Sequence, residues 1–448
     1  MIGRMKMVFL TPGTGGWYCG ACMRDNALAK SLQAAGHEVL LLPMYLPLML
    51  DEDGLVSARK TPIFFGGINV YLRQKFAWYR RAPRWLDQLL NHPRLLRQVA
   101  RHSRMTSARD HGAMTLAMLR MEASGFSKEM DQLCDWLAEE APDLVCLSTV
   151  LQAGMIGELK RRLGVKVICC FQGEDTFLDG LPEPFREACW RELAARVKAA
   201  DSLIAPSLFY AQLMRQRLEL DTLAIEVLPN GIHLEGYTPL DQKQGPPVIG
   251  FLARLSREKG LEVMVDAFIH LRVVLDHPSA QLHLAGSATP ENDAFIAMLQ
   301  KRLAAANLTE KVRWQVNLSR DEKIHMLRSL TIFSVPAIYP EAFGLYVIEA
   351  MASGVPVVQP AVAAFPEMVA RAGMLVQVGD FGCAPPWHEA LALAWYQLLQ
   401  EPATLREMAQ ESRRVAEEFY EIGVMRDRFI LLAQEICGSI PGDEPTTI

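Results

Sequence analysis

Tyr339-Pro340-Glu341-Ala342-Phe343-Gly344-Leu345-Tyr346-Val347-Ile348-Glu349-Ala350-Met351-Ala352-Ser353-Gly354-Val355-Pro356-Val357-Val358 is the stretch from which the rest of the chain can be read. Two carboxylates, Glu341 and Glu349, stand eight positions apart. Phe343-Gly344-Leu345 makes a turn between them, and the second carboxylate falls in a short helix that closes at Ser353-Gly354. A valine-rich strand follows, with Pro356 near its start. A loop that opens a helix presents backbone N–H groups to an anion, and a glycine there lets a ligand come close. A glutamate one turn further in accepts hydrogen bonds from a diol such as ribose, as an acidic residue does in dinucleotide-binding folds. The pattern suits a nucleotide diphosphate that carries a sugar.

Outward from this stretch the same helix-to-strand rhythm continues in both directions. Strands are predicted at Val248–Ala253, Gln281–Ala285, Val312–Gln315, Ile332–Val335 and Val355–Val358, with a helix over Leu261–Val273. An earlier series is predicted at Met7–Leu10, Glu38–Leu42, Leu144–Ser148, Val165–Phe171, Ser202–Ala205 and Ile225–Leu228, with a helix from about Arg24 to Ala35. This is the rhythm of doubly wound parallel α/β sheets. The polar, proline- and glycine-rich run 237–247 separates the two series and reads as a domain linker. A final helix is predicted over Ile422–Ile436.

With 448 residues the chain exceeds one ordinary core. A net charge of −5 argues against a general nucleic-acid binder. Nine scattered cysteines, an odd number, fit reduced thiols in a cytoplasmic protein better than a disulfide framework. No apolar run approaches the roughly 20 residues of a membrane-spanning helix. Val8-Phe9-Leu10 is too short for a secretory signal and reads as the first strand.

A second chemical signal is Gly250-Phe251-Leu252-Ala253-Arg254-Leu255-Ser256-Arg257-Glu258-Lys259-Gly260. Arg254 and Lys259 follow a strand and precede a helix, where a guanidinium fork and a point charge can neutralise a departing diphosphate. Thr11-Pro12-Gly13-Thr14-Gly15-Gly16 after the first strand offers free amides to a ligand. Its spacing is neither the dinucleotide fingerprint nor a P-loop. Cys19-Gly20-Ala21-Cys22 is a lone C-x-x-C; redox or metal chemistry is conceivable for it, and shaping of the glycine loop is the simpler reading. Residues 71–104 interleave nine basic side chains with Tyr71, Phe76, Trp78, Tyr79 and Trp85. This suits a lipid surface or an anionic acceptor as well as it suits a solvated helical excursion.

The stretch 339–358 resembles the E-x7-E motif of retaining glycosyltransferases of family 4, and 250–260 resembles their R-x4-K-G segment. Val227-Leu228-Pro229-Asn230-Gly231-Ile232 resembles the turn that closes their first domain. The resemblance implies the GT-B fold, two Rossmann-like doubly wound parallel-sheet domains facing a cleft. It implies an acceptor-side domain over 1–238 with a basic, aromatic excursion at 45–135, and a donor domain over 247–420. It also implies a segment 421–448 whose helix returns to the first domain. The implied reaction is metal-independent transfer of a hexose, with no cofactor, from a UDP- or GDP-sugar to a glycan, lipid or small-molecule acceptor. Arg254, Lys259 and Glu341 would serve the diphosphate and the sugar. Phe343, Gly344, Leu345 and Glu349 would bind the donor, and its base would pack near Asn317 and Leu318. Gly15, Gly16, Gln172 and Asp175 would line the acceptor side. The family often has His-Gly-x-Asp where this chain has Gln172-Gly173-Glu174-Asp175, and glutamine cannot take up a proton. No metal site is implied. The expected location is the cytoplasm, with peripheral contact to the inner membrane face through 71–104. Other readings are a nucleotide-sugar binding subunit without catalysis and another GT-B enzyme such as an epimerase.

Overall fold

The computed structural model describes residues 4–13, 20–48, 50, 62–65, 108–121, 126–220, 223–240, 245–369, 372–378 and 387–438. Its contacts divide the chain into two units, one of Met1–Pro229 with Met425–Ile448, the other of Asn230–Val424. Gly15, Gly16, Cys19, most of 45–107 and the basic stretch 71–104 lie outside the described residues.

The first unit is built on a six-stranded parallel sheet. Its strands are β1 (Lys6–Thr11), β2 (Glu38–Pro43), β3 (Leu144–Leu147), β4 (Lys166–Cys170), β5 (Ser202–Ala205) and β6 (Ile225–Val227). The spatial order is β2-β1-β3-β4-β5-β6. Strands covered on both faces read as continuous apolar runs, and β3 and the last four residues of β4 are fully buried. The helix Ile422–Cys437 belongs to this core: Phe429 packs on Phe9 of β1 with ring centroids 5.6 Å apart, and Arg428 donates to the Val227 carbonyl at 2.7 Å. Cys22, Cys134, Cys146, Cys169, Cys170 and Cys189 are buried.

The second unit holds β7 (Val248–Leu252), β8 (Gln281–Gly286), β9 (Val312–Val316), β10 (Ile332–Phe333), β11 (Val357–Pro360) and β12 (Gly373–Val376). Their order is β12-β11-β10-β7-β8-β9, all parallel. Counted from its own first strand this is 3-2-1-4-5-6 read from the β9 edge, the arrangement of dinucleotide-binding folds. Each sequence-predicted strand exists, and β12 was not foreseen. It is a short edge strand that begins on a glycine, with three of its four residues half-buried, so its apolar run is weak. β11 starts at Val357 because Pro356 has no N–H for the ladder. The helix expected over Leu261–Val273 is α-helical only to Ile269 and continues as a π-turn over His270–Val274.

Residues 230–238, which the resemblance puts at the end of the first domain, and the start of the expected linker fall in the second unit. Tyr237 is 2% exposed, and the carbonyls of Glu235 and Thr238 accept from Arg320 at 3.0 Å and Arg328 at 2.7 Å. Their polarity reflects backbone groups bonded to one unit, not a solvated tether.

One glycine governs how the loops at the strand ends meet. Gly260 has φ of 75°, and a Cβ there would lie 1.6 Å from the Pro336 carbonyl oxygen. Gly245 has φ of 95° with nothing within 4 Å of the same position. Gly245→Ala is therefore expected to lose only the left-handed penalty, about 1 kcal/mol. Gly260→Ala should lose at least twice as much, because the β10 loop must also move away. Urea midpoints of the two variants test this, and equal losses would show that the loops do not meet as described.

Candidate functional site

In the second sheet β7 and β10 are neighbours, but the chain leaves β7 towards β8 and leaves β10 towards β11, in opposite directions. At such a switch point a crevice opens beyond the carboxyl ends of the strands. The loop after β7 carries Arg254 and Lys259, and the loop after β10 carries Glu341, Phe343 and Gly344. The two loops are tied directly: the Ile338 N–H donates to the Glu258 carbonyl at 3.0 Å, and Pro336 lies over Gly260. The first loop is also pinned to the end of β8, where Leu255 N–H meets the Ser287 carbonyl at 2.9 Å.

Across this junction the Lys259 ammonium pairs with Glu341 Oε2, and both side chains are nearly buried. The same carboxylate oxygen accepts from the Tyr346 hydroxyl at 2.7 Å and the Tyr339 hydroxyl at 2.9 Å. Lys259 also contacts the Tyr339 hydroxyl and lies 4.9 and 5.2 Å from the Tyr339 and Tyr346 ring centroids. Burial alone would raise the Glu341 pKa. The Lys259 charge and hydrogen bond, with the two tyrosine hydroxyls, outweigh it and hold the carboxyl below its usual range. Burial beside that carboxylate pushes the Tyr346 phenol well up, so it remains a donor. An ammonium has three N–H donors, and two are engaged here, which leaves one for a ligand oxygen. Arg254 is exposed at the rim.

Gly344, with φ of 99°, caps the helix Leu345–Ala352, so the first turn of that helix opens beside Glu341. Phe343 is buried, its ring 5.9 Å from that of Tyr420, so it offers backbone rather than side chain to a ligand. Leu345 is half-buried at the first helical position. Glu349, further along, is also paired: its Oε1 takes Lys323 at 2.5 Å and the Tyr237 hydroxyl at 3.0 Å. Tyr237 is fixed in turn by Arg413, which donates to its carbonyl and, at 2.6 Å, to that of Ala352. Asn317 and Leu318 follow β9 at the same end of the sheet; Asn317 is exposed with φ of 57° and donates its N–H to the Gly286 carbonyl at 2.9 Å.

In the first unit Gln172 is half-buried after β4, and Asp175 is buried and accepts from the Tyr210 hydroxyl at 2.8 Å. Burial raises the Asp175 pKa against that hydrogen bond. Glu174 is a clamp between loops, taking the Thr149 hydroxyl at 2.6 Å and the Gln172 N–H at 2.7 Å. Beneath the β1–β3 switch point lies a cluster the sequence reading missed. Asp25 is fully buried, accepts from Ser148 and sits 2.9 Å from Arg24, which donates to the Ser148 carbonyl at 3.3 Å. Arg24-Asp25 stands in the second turn of the helix Gly20–Ala34 that follows the glycine loop, and that adjacency was the available signal. Tyr339 and Tyr346 were also missed although they stand two and five residues from Glu341, and Tyr237 and Lys323 were missed because 112 and 26 residues separate them from Glu349. Among the described residues no helix is long and apolar enough to cross a membrane.

Residues 24–231 match the glycosyl transferase 4-like domain model, and residues 239–415 match the model of glycosyl transferases group 1. The D-inositol 3-phosphate glycosyltransferase of Mycolicibacterium vanbaalenii is 30% identical over 239 residues, which are 48% of this chain and 49% of that protein. The alpha-maltose-1-phosphate synthase of Mycolicibacterium smegmatis is 30% identical over 256 residues, 52% of this chain and 63% of that protein. The chain thus spans about half to three-fifths of the length of these curated relatives. Among solved structures, sucrose-phosphate synthase from Thermosynechococcus elongatus aligns over 97% of this chain and 99% of its own, with a TM-score of 0.69 at 18% identity. Anabaena HepE in complex with UDP-glucose aligns over 96% of this chain and 100% of its own, with a TM-score of 0.63 at 16% identity. A 4-like domain followed by a group 1 domain, on two Rossmann-like sheets shared with GT-B proteins, places the chain in the group 1 glycosyltransferase family.

Proposed function

We propose that this protein is a retaining glycosyltransferase that moves a hexose from a nucleotide diphosphate sugar to an acceptor hydroxyl without a metal ion. The observation that carries the reading is the convergence of Lys259, Glu341 and the first turn of the helix Leu345–Ala352 at the β7–β10 switch point. Lys259 keeps a donor for a phosphate oxygen, Arg254 at the rim supplies a second cation, and the helix N-terminus adds a partial positive charge. Together they stabilise the diphosphate as the bond to the sugar breaks. Glu341, held ionised, orients Lys259 and accepts from sugar hydroxyls. Glu349, already fixed by Lys323 and Tyr237 through Oε1, keeps Oε2 for the ribose diol. The leaving phosphate takes the acceptor proton on the face it departs from, so glutamine at 172 does not block the reaction.

HepE is described with UDP-glucose, which makes uridine the first donor base to test. The names of the sequence relatives point to acceptor chemistry of the polyol-phosphate or sugar-phosphate kind. The donor test is thermal stabilisation by UDP, GDP and their hexose conjugates, followed by release of free nucleotide. A ligand that binds only the folded form raises stability with the logarithm of its excess over Kd. Stabilisation by one diphosphate and slow release are expected, both lost in Lys259→Ala, with product of the same anomeric configuration as the donor. Binding without release in the presence of sugar, lipid and polyol-phosphate acceptors would instead identify a non-catalytic binder.

Two further outcomes follow from the charge pairs. The Glu341 pKa is lowered on folding, so its contribution to stability is present above the unfolded value near 4.3 and is lost as the pH falls through the folded value. Glu341→Gln leaves Lys259 buried without its counter-charge and should cost roughly 3–5 kcal/mol at pH 7. That difference should persist down to about pH 4 and shrink below it, as the pH falls through the folded value in urea titrations; a difference that stays constant through that lower range would remove the ionised pair from the account. Tyr237→Phe deletes one donor to a carboxylate, worth about 1.5–3 kcal/mol. Donor KM should rise by about tenfold or more while kcat changes little, and an unchanged KM would show that Glu349 needs no such support.

A further inference from the structure

We infer that His270, His388 and Glu389 form a binding site for one divalent transition-metal ion, of which zinc fits the donors best. One ligand atom from each residue lies within 4.8 Å of the other two. In a tetrahedral site with zinc bonds of about 2.0–2.1 Å, ligand atoms are roughly 3.3 Å apart, so modest side-chain rotation closes the set. Two imidazoles and a carboxylate supply one negative charge and borderline donors, a combination that favours zinc over magnesium or calcium. A fourth position would remain for water.

The three residues are presented by elements with little freedom to separate. His270 begins the π-turn His270–Val274, in which the Leu275 N–H returns to the His270 carbonyl at 3.0 Å. Such turns are rare and recur at functional sites. Leu271, next in the turn, is fully buried. His388 and Glu389 stand in the first turn of the helix Trp387–Gln400, which is anchored by the fully buried Leu391, Ala392 and Trp395. The His270 and His388 rings meet edge to face with centroids 6.1 Å apart, and both residues are half-buried. Arg272, the cation in the turn, is turned elsewhere: it donates to the carbonyls of Pro278 and, at 2.8 Å, Ala280. The helix dipoles oppose one another here. The end of Leu261–Ile269 favours a cation and the start of Trp387–Gln400 disfavours it, each by well under the strength of three metal bonds.

The site is separate from the crevice described above. Lys259 precedes the helix Leu261–Ile269 and His270 follows it, a rise of about 14 Å along the axis. The ion would act as a clasp between the π-turn and the helix Trp387–Gln400, and the inference stands apart from the glycosyltransferase reading.

The test uses the full chain without a histidine tag, stripped with a chelator and titrated with zinc chloride against a chromogenic zinc indicator in excess magnesium. One zinc per chain should be withdrawn from the indicator, with a rise in thermal midpoint. His388→Ala should weaken binding tenfold or more and abolish the rise, while substitution of His277, whose ring meets that of Tyr396 edge to face, by alanine (His277→Ala) should change neither. Glu389 is exposed, so Glu389→Gln tests the same site without disturbing the core. It should weaken zinc binding at an unchanged metal-free midpoint. Failure of the wild type to compete with the indicator would overturn the inference, as would equal affinity in His270→Ala/His388→Ala.

Discussion

The ion pair between Lys259 and Glu341 is the interaction on which the second unit's crevice depends. A buried lysine and a buried carboxylate are each costly alone, and only mutual pairing with further hydrogen bonds makes them tolerable. Here the partners come from loops on either side of the switch point, so satisfying the charges draws those loops together. Gly260 permits that approach because any Cβ would strike the Pro336 carbonyl. Tyr339 and Tyr346 fill the remaining lone-pair directions of the carboxylate and wall the ammonium with aromatic faces. A ligand at this crevice would therefore meet a neutralised, preorganised pair.

The second motif carboxylate repeats the arrangement. Glu349 is held by Lys323 and Tyr237 as Glu341 is held by Lys259 and two tyrosines. Both acids of the motif are thus oriented by a lysine from outside it and by phenols, Tyr339 and Tyr346 from the same stretch and Tyr237 from far away in sequence. Such side chains lose little further freedom when a ligand arrives, which is how a crevice gains positional accuracy. In the first unit the analogous buried charges, Asp25 with Arg24 and Glu174 with Thr149, brace the strand ends instead.

The sheets were legible in the sequence because parallel strands covered on both faces show as uninterrupted apolar runs, such as Val167-Ile168-Cys169-Cys170. β12 was not, because a short, half-buried edge strand lacks that signature. The motif residues on the β7 and β10 loops were legible because loop glycines and charges follow each strand in order. Their partners were not: Lys323 is 26 residues from Glu349, and Tyr237 is 112 residues from it. The run 237–247 was read as a linker from its composition, which records polarity but not the arginines, Arg413 and Arg328, that bond the carbonyls of Tyr237 and Thr238. The π-turn at His270 escaped because its sequence keeps helical spacing, and only the hydrogen-bond pattern departs from it.

The chain crosses between the units after Pro229 and again before Met425, and the flanking segments bond to one another, Ile232 N–H to the Tyr420 carbonyl at 2.9 Å and Ile422 N–H to the Ile232 carbonyl at 3.0 Å. The second unit is continuous in sequence, whereas the first lacks the residues around Phe429 until the last helix has been made. Chains emerge from the ribosome N-terminus first, and domains ordinarily close in that order. Here the order is reversed for completion: the second unit can seal its core first, while the wall of β1 at Phe9 stays open throughout the synthesis of Asn230–Val424. For that interval the nascent first unit presents an apolar face at Phe9, which the helix Ile422–Cys437 then covers.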